Sequence, residues 1–195
     1  MSKHKNNKKA AKIVTLILLL IFAVVGYFVI NNYVQYKIYQ LNHKDTIKEM
    51  SEQYDLDPYM VCAVIYTESK FDDDIVSNAG AVGLMQIMPD TGEWIAKKAK
   101  FSDYTDDSLK NPVMNIKLGC WYLNYLETKF NGSMQLMLAS YNAGPSNVSS
   151  WLGNASYSSD GKTLTKIPYK ETENYITRVM NAYERYKSLY KDAFN

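Results

Sequence analysis

An uncharged apolar run over residues 13–30 constrains this 195-residue chain more than any other feature. As a helix rising about 1.5 Å per residue, those 18 residues are about 27 Å long, close to the ~30 Å hydrocarbon core of a bilayer. Ahead of the run stand Lys3, Lys5, Lys8, Lys9 and Lys12, and no acidic residue occurs before Asp45. The positive-inside bias of membrane proteins then keeps the N-terminus in the cytoplasm and sends everything after Ile30 to the other side. A cleaved signal peptide would show a shorter apolar core and a small-x-small site. Val29-Ile30-Asn31-Asn32-Tyr33 offers no such site. The five lysines argue against a buried core helix. The expected organisation is a basic cytoplasmic tail over 1–12, a single transmembrane anchor over 13–30, a membrane-proximal stalk over 31–44 and an extracytoplasmic domain over 45–195.

Charge narrows the function of that domain. The chain has 22 Lys+Arg and 20 Asp+Glu, a net charge of +2. Setting aside the five tail lysines leaves 17 against 20, or −3, so the exported part is no basic nucleic-acid binder. No glycine-rich loop suited to phosphates is present. Two histidines, His4 and His43, and two cysteines, Cys62 and Cys120, show no metal-ligand spacing, so neither metal nor cofactor is expected. A single disulfide is conceivable in an exported chain. Both cysteines lie in apolar helical stretches, however, which favours two buried free thiols.

The periodicity of the remainder is helical. In the stalk, Val34, Ile38 and Leu41 recur at helical spacing, which would also suit a face packed on the domain. Ile47, Met50 and Tyr54 mark one helix face of the domain. Asp57-Pro58 predicts the start of a second helix, with Asp57 as N-cap and Pro58 at its first position, running to about Ser69. Residues 72–82 read as loop. A helix is predicted after Pro89, and residues 101–110 read as irregular. Asn111-Pro112 opens a helix with Ile116, Leu118, Tyr122, Leu123 and Leu126 apolar. Further helices are predicted over 133–141, over 148–152 as a short one, and over 171–190, where Tyr175, Val179 and Tyr183 recur at i, i+4, i+8. Residues 153–168 are Ser/Gly-rich and read as a loop or small hairpin. Strand-like alternation is nearly absent, so the fold class is all-α.

Glu68 carries the chemistry. It follows the apolar run Tyr59-Met60-Val61-Cys62-Ala63-Val64-Ile65-Tyr66 and sits in Thr67-Glu68-Ser69. A carboxyl group at the end of a buried helix is desolvated, which favours its protonated form near neutral pH and lets it act as an acid. Eighteen residues later comes Gly83-Leu84-Met85-Gln86-Ile87-Met88-Pro89.

These pieces belong to an ordered set. Leu56-Asp57-Pro58 leads to Glu68-Ser69; then come the Gly83 segment, Asn115-Ile116-x-Leu118-Gly119, Ser140-Tyr141-Asn142-Ala143-Gly144 and Glu171-Thr172-x-x-Tyr175. In this order the sequence resembles a lytic transglycosylase of the soluble-lytic-transglycosylase (SLT) type, related to goose-type lysozyme, over residues 40–190. The resemblance implies a lysozyme-like helical domain and cleavage of the β-1,4 bond between N-acetylmuramic acid and N-acetylglucosamine in peptidoglycan glycan strands.

By the same resemblance, Glu68 protonates the leaving oxygen. As a carboxylate it then takes a proton from the muramic C6 hydroxyl, which closes a 1,6-anhydro ring without water. Ser77, Gln86, Met88, Tyr141, Asn142, Glu171 and Tyr175 match positions that line the sugar cleft. Ser77 would hydrogen-bond near the acid or the N-acetyl group. Gln86 would offer amide hydrogen bonds and Met88 an adaptable apolar wall. Tyr141 would offer a stacking face and a hydroxyl, Tyr175 would stand near the glutamate, and Glu171 would reach a sugar subsite.

Two departures stand out. Ser140 replaces the usual alanine, and Asp72-Asp73 replaces the usual Asn-Pro. Asp72 lies four residues after Glu68 and would share its face if the helix continued. Asp72, Asp73 and Asp74 read as a solvated acidic loop, but a second carboxylate would make the chain a hydrolytic muramidase. A third reading is a wall-binding or assembly module for a secretion, conjugation or spore machine, with little catalysis.

Overall fold

The computed structural model describes the backbone of Ser2–Asn195 and the side chains from Lys12 onward, except that of Asp106. Among the described residues eight α-helices account for most of the length: α1 (Ser2–Ile38), α2 (Lys44–Gln53), α3 (Pro58–Ser69), α4 (Pro89–Ala99), α5 (Pro112–Lys129), α6 (Met134–Ala143), α7 (Pro145–Leu152) and α8 (Lys170–Leu189). Among the described residues there is no β-strand, only two isolated bridges, Val76 with Val82 and Val82 with Ile87.

The chain divides into two units, residues 1–40 and residues 41–195. The first is α1 alone. Within it Lys12–Ile38 is long and apolar enough to cross a membrane, and its apolar side chains, such as Leu16, Leu20, Phe22 and Phe28, are exposed. The helix does not end at Ile30 but continues through most of the expected stalk to Ile38. The side chains of the basic tail before Lys12 lie outside the described residues.

In the second unit α3 is the central helix. Asp57 caps it by accepting the Tyr59 N–H at 2.8 Å, and Pro58 supplies a first residue that needs no amide partner. Met60, Val61, Cys62, Ala63, Val64 and Ile65 are all buried in succession, so α3 is apolar all round and takes neighbours on every side. Each large side chain among them is worth about 1.5–3 kcal/mol against exposure. α3 packs mainly on α8 and also on α2, while α5 joins α2, α4 and α6. Cys62 in α3 and Cys120 in α5 are both buried as free thiols.

Local chemistry sets the ends of the other helices. Asn111 caps α5 by accepting the Met114 N–H at 3.1 Å, and Ser133 caps α6 by accepting the Leu136 N–H at 3.4 Å. Gly144, at φ 85°, ends α6 and starts α7, with Pro145 first. α7 is thus three residues longer than the expected 148–152, because proline at a first helical position starts a helix as readily as it ends one.

The expected irregular stretch and the expected loop each hold local order. The irregular 101–110 segment contains a 3₁₀ turn, Asp106–Lys110, with the Ser108 hydroxyl accepting the Thr105 N–H at 2.9 Å. In 153–168 no hairpin forms. Asp160 instead gathers the N–H groups of Lys162 and Thr163 at 2.8 and 2.7 Å, and these bonds hold its carboxyl down at about 2. On α8 the buried face is Thr172, Tyr175, Val179, Ala182 and Tyr186, so Tyr186 occupies the core where the i+8 spacing pointed to Tyr183. A straight helix drifts past an exact i, i+4, i+8 line, and the inward positions after i+4 are i+7, Ala182, and i+11, Tyr186.

Candidate active site

The last turn of α3 presents Glu68. Its carboxyl is half-buried, and burial pushes it from the ordinary 4.5 up to about 7. The Tyr175 hydroxyl and the charge of Arg178 oppose that rise without cancelling it.

Immediately after Glu68 the chain turns sharply. Lys70 and Phe71 both adopt left-handed backbone, φ 55° and 65°. Two such non-glycine residues in succession are costly and must be held in place. The Ser69 hydroxyl accepts the Phe71 N–H at 3.1 Å, and the Phe71 ring is 95% buried, with 5% exposure. The turn takes Asp72 off the helix, so it does not share a face with Glu68. Asp72 caps its own loop, accepting the Asp74 N–H at 3.1 Å. Asp73 pairs with His43 Nε2 at 2.8 Å. Asp72 is thus bonded within its own loop and Asp73 across the chain to His43.

Two tyrosines close on Glu68 from other helices. Tyr141 of α6 donates its hydroxyl to the Met85 carbonyl at 2.8 Å. Tyr175 of α8 is 2% exposed, and its hydroxyl lies near the Glu68 carboxyl without reaching any acceptor at full hydrogen-bond geometry. Burial, and then the charge of Glu68, raise both phenols well above their usual range. Both are therefore neutral donors at any physiological pH. Catalytic hydrogen bonds are commonly long before substrate arrives, so an unsatisfied buried hydroxyl beside an acid is suited to a bond completed later.

The segment 83–88, whose Met85 carbonyl accepts the Tyr141 hydroxyl, is held in place by α5. Asn115 of α5, fully buried, accepts the Met85 N–H at 2.8 Å and donates to the carbonyls of Val82 and Leu109 at 2.9 and 2.8 Å. Gly83 has φ 75°, and a Cβ there would lie 2.6 Å from the Asn115 amide nitrogen and 2.7 Å from the Leu109 carbonyl. Only glycine fits. Gly119, one turn past Asn115, leaves room for Met85, whose sulfur would overlap any Cβ at that position.

Of the expected cleft residues, Gln86 has a left-handed backbone, φ 46°, and donates its side-chain nitrogen to the carbonyls of Gly83 and Ile75 at 2.8 and 3.2 Å. Its amide nitrogen thus holds the loop. Met88 is 41% exposed and caps the start of α4. Asn142 accepts the Thr172 hydroxyl at 2.8 Å, tying α6 to α8. Ser77 is half-buried and accepts the Ala81 N–H at 3.0 Å. Glu171 is exposed in the first turn of α8. Glu68, Tyr141 and Tyr175 are brought together, with the Met85 carbonyl behind Tyr141. Among the described residues no hydrogen bond ties Ser77, Met88 or Glu171 to Glu68.

Sequence reasoning gave no role to Asn115 or Arg178. An asparagine at an inward register of an apolar helix is a signal of a buried hydrogen-bond hub; Arg178 had no comparable signal.

The transglycosylase SLT domain family matches residues 45–164. The chain belongs to that family. Curated SLT relatives include the soluble lytic murein transglycosylase of Escherichia coli K12, 33% identical over 152 residues, covering 76% of this chain and 24% of that protein. Membrane-bound lytic murein transglycosylase C of Edwardsiella ictaluri is 28% identical, covering 74% of this chain and 46% of that protein. Among solved SLT structures, the 70 kDa soluble lytic transglycosylase of Escherichia coli superposes with a TM-score of 0.72 at 28% identity, covering 82% of this chain and 26% of that one. An inactive mutant of the Pseudomonas aeruginosa lytic transglycosylase Slt gives 0.68 at 30% identity, covering 77% and 24%. The chain thus spans about a quarter of the length of the soluble relatives it matches.

Proposed function

We propose that the chain is a membrane-anchored lytic transglycosylase that cleaves peptidoglycan glycan strands, with Glu68 as its single acid and base. The observation that carries this reading is a half-buried glutamate whose carboxyl is raised to about 7, beside two neutral tyrosine hydroxyls. Membership of the SLT family and the names of the relatives support the substrate.

The chemistry follows from one proton moving out and one moving back. Protonated Glu68 gives its proton to the glycosidic oxygen as the bond from that oxygen to the anomeric carbon of N-acetylmuramic acid breaks. The N-acetylglucosamine side leaves with its 4-hydroxyl restored. The Glu68 carboxylate, with the Tyr175 hydroxyl turned toward it, stabilises the positive charge at the anomeric carbon, aided by the substrate's own N-acetyl group. Glu68 then takes the proton of the C6 hydroxyl while that oxygen bonds the anomeric carbon. The product is a 1,6-anhydro end, no water is consumed, and the acid is regenerated.

A water-activating hydrolase would use a second carboxylate. Asp72 caps its own loop, Asp73 pairs with His43 and Asp74 is exposed, and among the described residues no hydrogen bond ties any of the three to Glu68. Non-hydrolytic cleavage is therefore the better-supported outcome. α1 serves as anchor, with the lysine-rich tail cytoplasmic and the helical domain facing the wall.

Mass spectrometry of muropeptides released from purified peptidoglycan tests the chemistry. The chain should release anhydro-muropeptides, and Glu68→Gln should lower the rate by about 10²–10⁴-fold, the usual worth of general acid–base catalysis. Products heavier by one water would establish hydrolysis instead.

A further inference from the structure

A concavity of about 440 Å³ opens between the turn that joins α5 to α6, helix α7 and the 158–163 turn. None of Glu68, Tyr141, Tyr175 or the 83–88 segment lines it. Its polar lining is Lys129, Asn131, Ser133, Ser149, Lys162 and Thr163, beside apolar Phe130, Leu136 and Leu152. Among the described residues no acid lines it. Its volume lies within the roughly 300–1,000 Å³ of small-ligand sites.

The walls are fixed by their own hydrogen bonds. Asn131 and Gly132 turn the chain with left-handed backbone, φ 53° and 78°, and Gly132 donates its N–H to the Glu127 carbonyl at 2.9 Å. In the 158–163 turn Gly161 donates its N–H to the buried Ser158 hydroxyl at 3.0 Å. The Asp160 carboxylate is turned into that same turn, where it accepts the Lys162 and Thr163 N–H groups and the Thr163 hydroxyl at 2.9 Å.

The lining selects a ligand class. Neither Lys129 nor Lys162 pairs with an acid among the described residues, and the Lys129 Nζ stands 5.7 Å from the Phe130 ring centroid. Two ammonium groups with no carboxylate beside them in the lining call for an anion. Lysine acts as a point charge and suits phosphate, whereas the planar fork that matches a carboxylate belongs to arginine, and no arginine lines the concavity. Ser133 accepts the Leu136 N–H, so its own proton is left to donate. Ser149 donates to the Pro145 carbonyl at 2.8 Å and Thr163 to Asp160, so both present lone pairs. Such acceptors suit the O–H groups of a polyol, and Phe130, Leu136 and Leu152 suit its carbon chain.

We propose that this concavity binds a polyol phosphate within a phosphodiester-linked polymer, its phosphate at Lys129 and Lys162 and its hydroxyls at Ser149 and Thr163. The site holds the domain on an anionic polymer lying among the strands that the cleft takes. Glu68 has no part in it.

Isothermal titration of the full-length chain in neutral detergent with glycerol phosphate oligomers of three to five units tests it. Binding should be saturable, and Lys129→Ala/Lys162→Ala should weaken it by about tenfold for each lysine, the size of a charge-assisted contact. Lys129→Arg/Lys162→Arg should retain most of the affinity. Lys97→Ala/Lys100→Ala, the same charge change at the end of α4, should bind as wild type. Ser149→Ala should weaken the oligomer severalfold and leave inorganic phosphate unchanged. No saturable binding, equal losses in the two lysine-to-alanine pairs, an unchanged Ser149→Ala, or equal affinity for succinate would overturn the site. Capture by phosphatidylglycerol vesicles without binding of the soluble oligomer would assign the lysines to a lipid surface and overturn it as well. Lys129→Ala/Lys162→Ala should release anhydro-muropeptides from polymer-free peptidoglycan as wild type does. A failed titration therefore removes this site and leaves the reading of Glu68 standing.

Discussion

At the residue scale the raised carboxyl of Glu68 links the proposed catalysis to stability. Its folded-state value is about 7 against an ordinary 4.5, so the folded state holds this proton more tightly than the unfolded chain does. Stability from that group is therefore complete below about pH 4.5 and is lost as pH rises through 7. Glu68→Gln removes the penalty of burying a charge. It should melt higher than wild type at pH 8 and match it at pH 4, and thermal melts at the two pH values read the difference. At roughly 2–4 °C per kcal/mol for a chain of this size, a gap of several degrees is expected. Activity runs the same way: the acid is lost above about pH 7, so cleavage should fall on the alkaline side. Tyr175→Phe deletes a contact that favours the carboxylate, and the carboxyl moves further up. The alkaline limb of the pH–rate profile should shift to higher pH, with a rate loss of about 10–100-fold. An unmoved limb would mean that Tyr175 acts only by packing.

At the element scale the site depends on a loop that cannot hold itself. The 83–88 segment contains two left-handed residues, Gly83 and Gln86, and its amide and carbonyl groups are met by Asn115 from α5. Asn115→Ala would leave the Met85 N–H and the Val82 and Leu109 carbonyls without that partner. The cost of one such buried group is about 1–3 kcal/mol, and denaturant unfolding should show a loss of at least about 3 kcal/mol. Asn115→Asp keeps the acceptor toward Met85 but sets a buried carboxylate against the Val82 and Leu109 carbonyls, so it should cost at least as much as Asn115→Ala. Much of this framework was legible in advance. Asp57-Pro58 and Asn111-Pro112 start α3 and α5 because cap chemistry is local, and the all-apolar stretch before Glu68 is the central helix because nothing in it tolerates water. The links that assemble the site were not legible. The Asn115 bonds to Met85 and Val82 and the Asn142–Thr172 bond join residues some 30 positions apart, and no local pattern records such pairings. The position of Asp72 was illegible for a different reason. Helical spacing places it beside Glu68, but the left-handed pair Lys70-Phe71 breaks the register, and neither residue announces such a conformation.

At the scale of the whole molecule, the chain couples a helix that suits lipid to a domain with its own core. α1 over Lys12–Ile38 is about 40 Å long at 1.5 Å per residue, more than the ~30 Å hydrocarbon core, so it is long enough to span a bilayer with residues to spare. The surplus lies on the domain side, where Tyr33, Tyr36 and Tyr39 suit the interfacial belt in which tyrosine keeps its ring in lipid and its hydroxyl in water. Residues 39–43 alone connect α1 to α2. If α1 is an uncleaved anchor, the full-length protein should sediment with membranes and resist alkaline carbonate. A C-terminal tag should be digested by protease added to cells stripped of their wall, and an N-terminal tag should be spared. A soluble product shortened by about 30 residues would instead mean a processed leader. Exchanging the five tail lysines for glutamates tests the cause of the orientation: with the lysines gone, a fraction of molecules should invert, because those charges supply the bias. The inverted molecules would carry an intact Glu68 site on the side that holds no wall, and cleavage of peptidoglycan in cells should fall in proportion to that fraction.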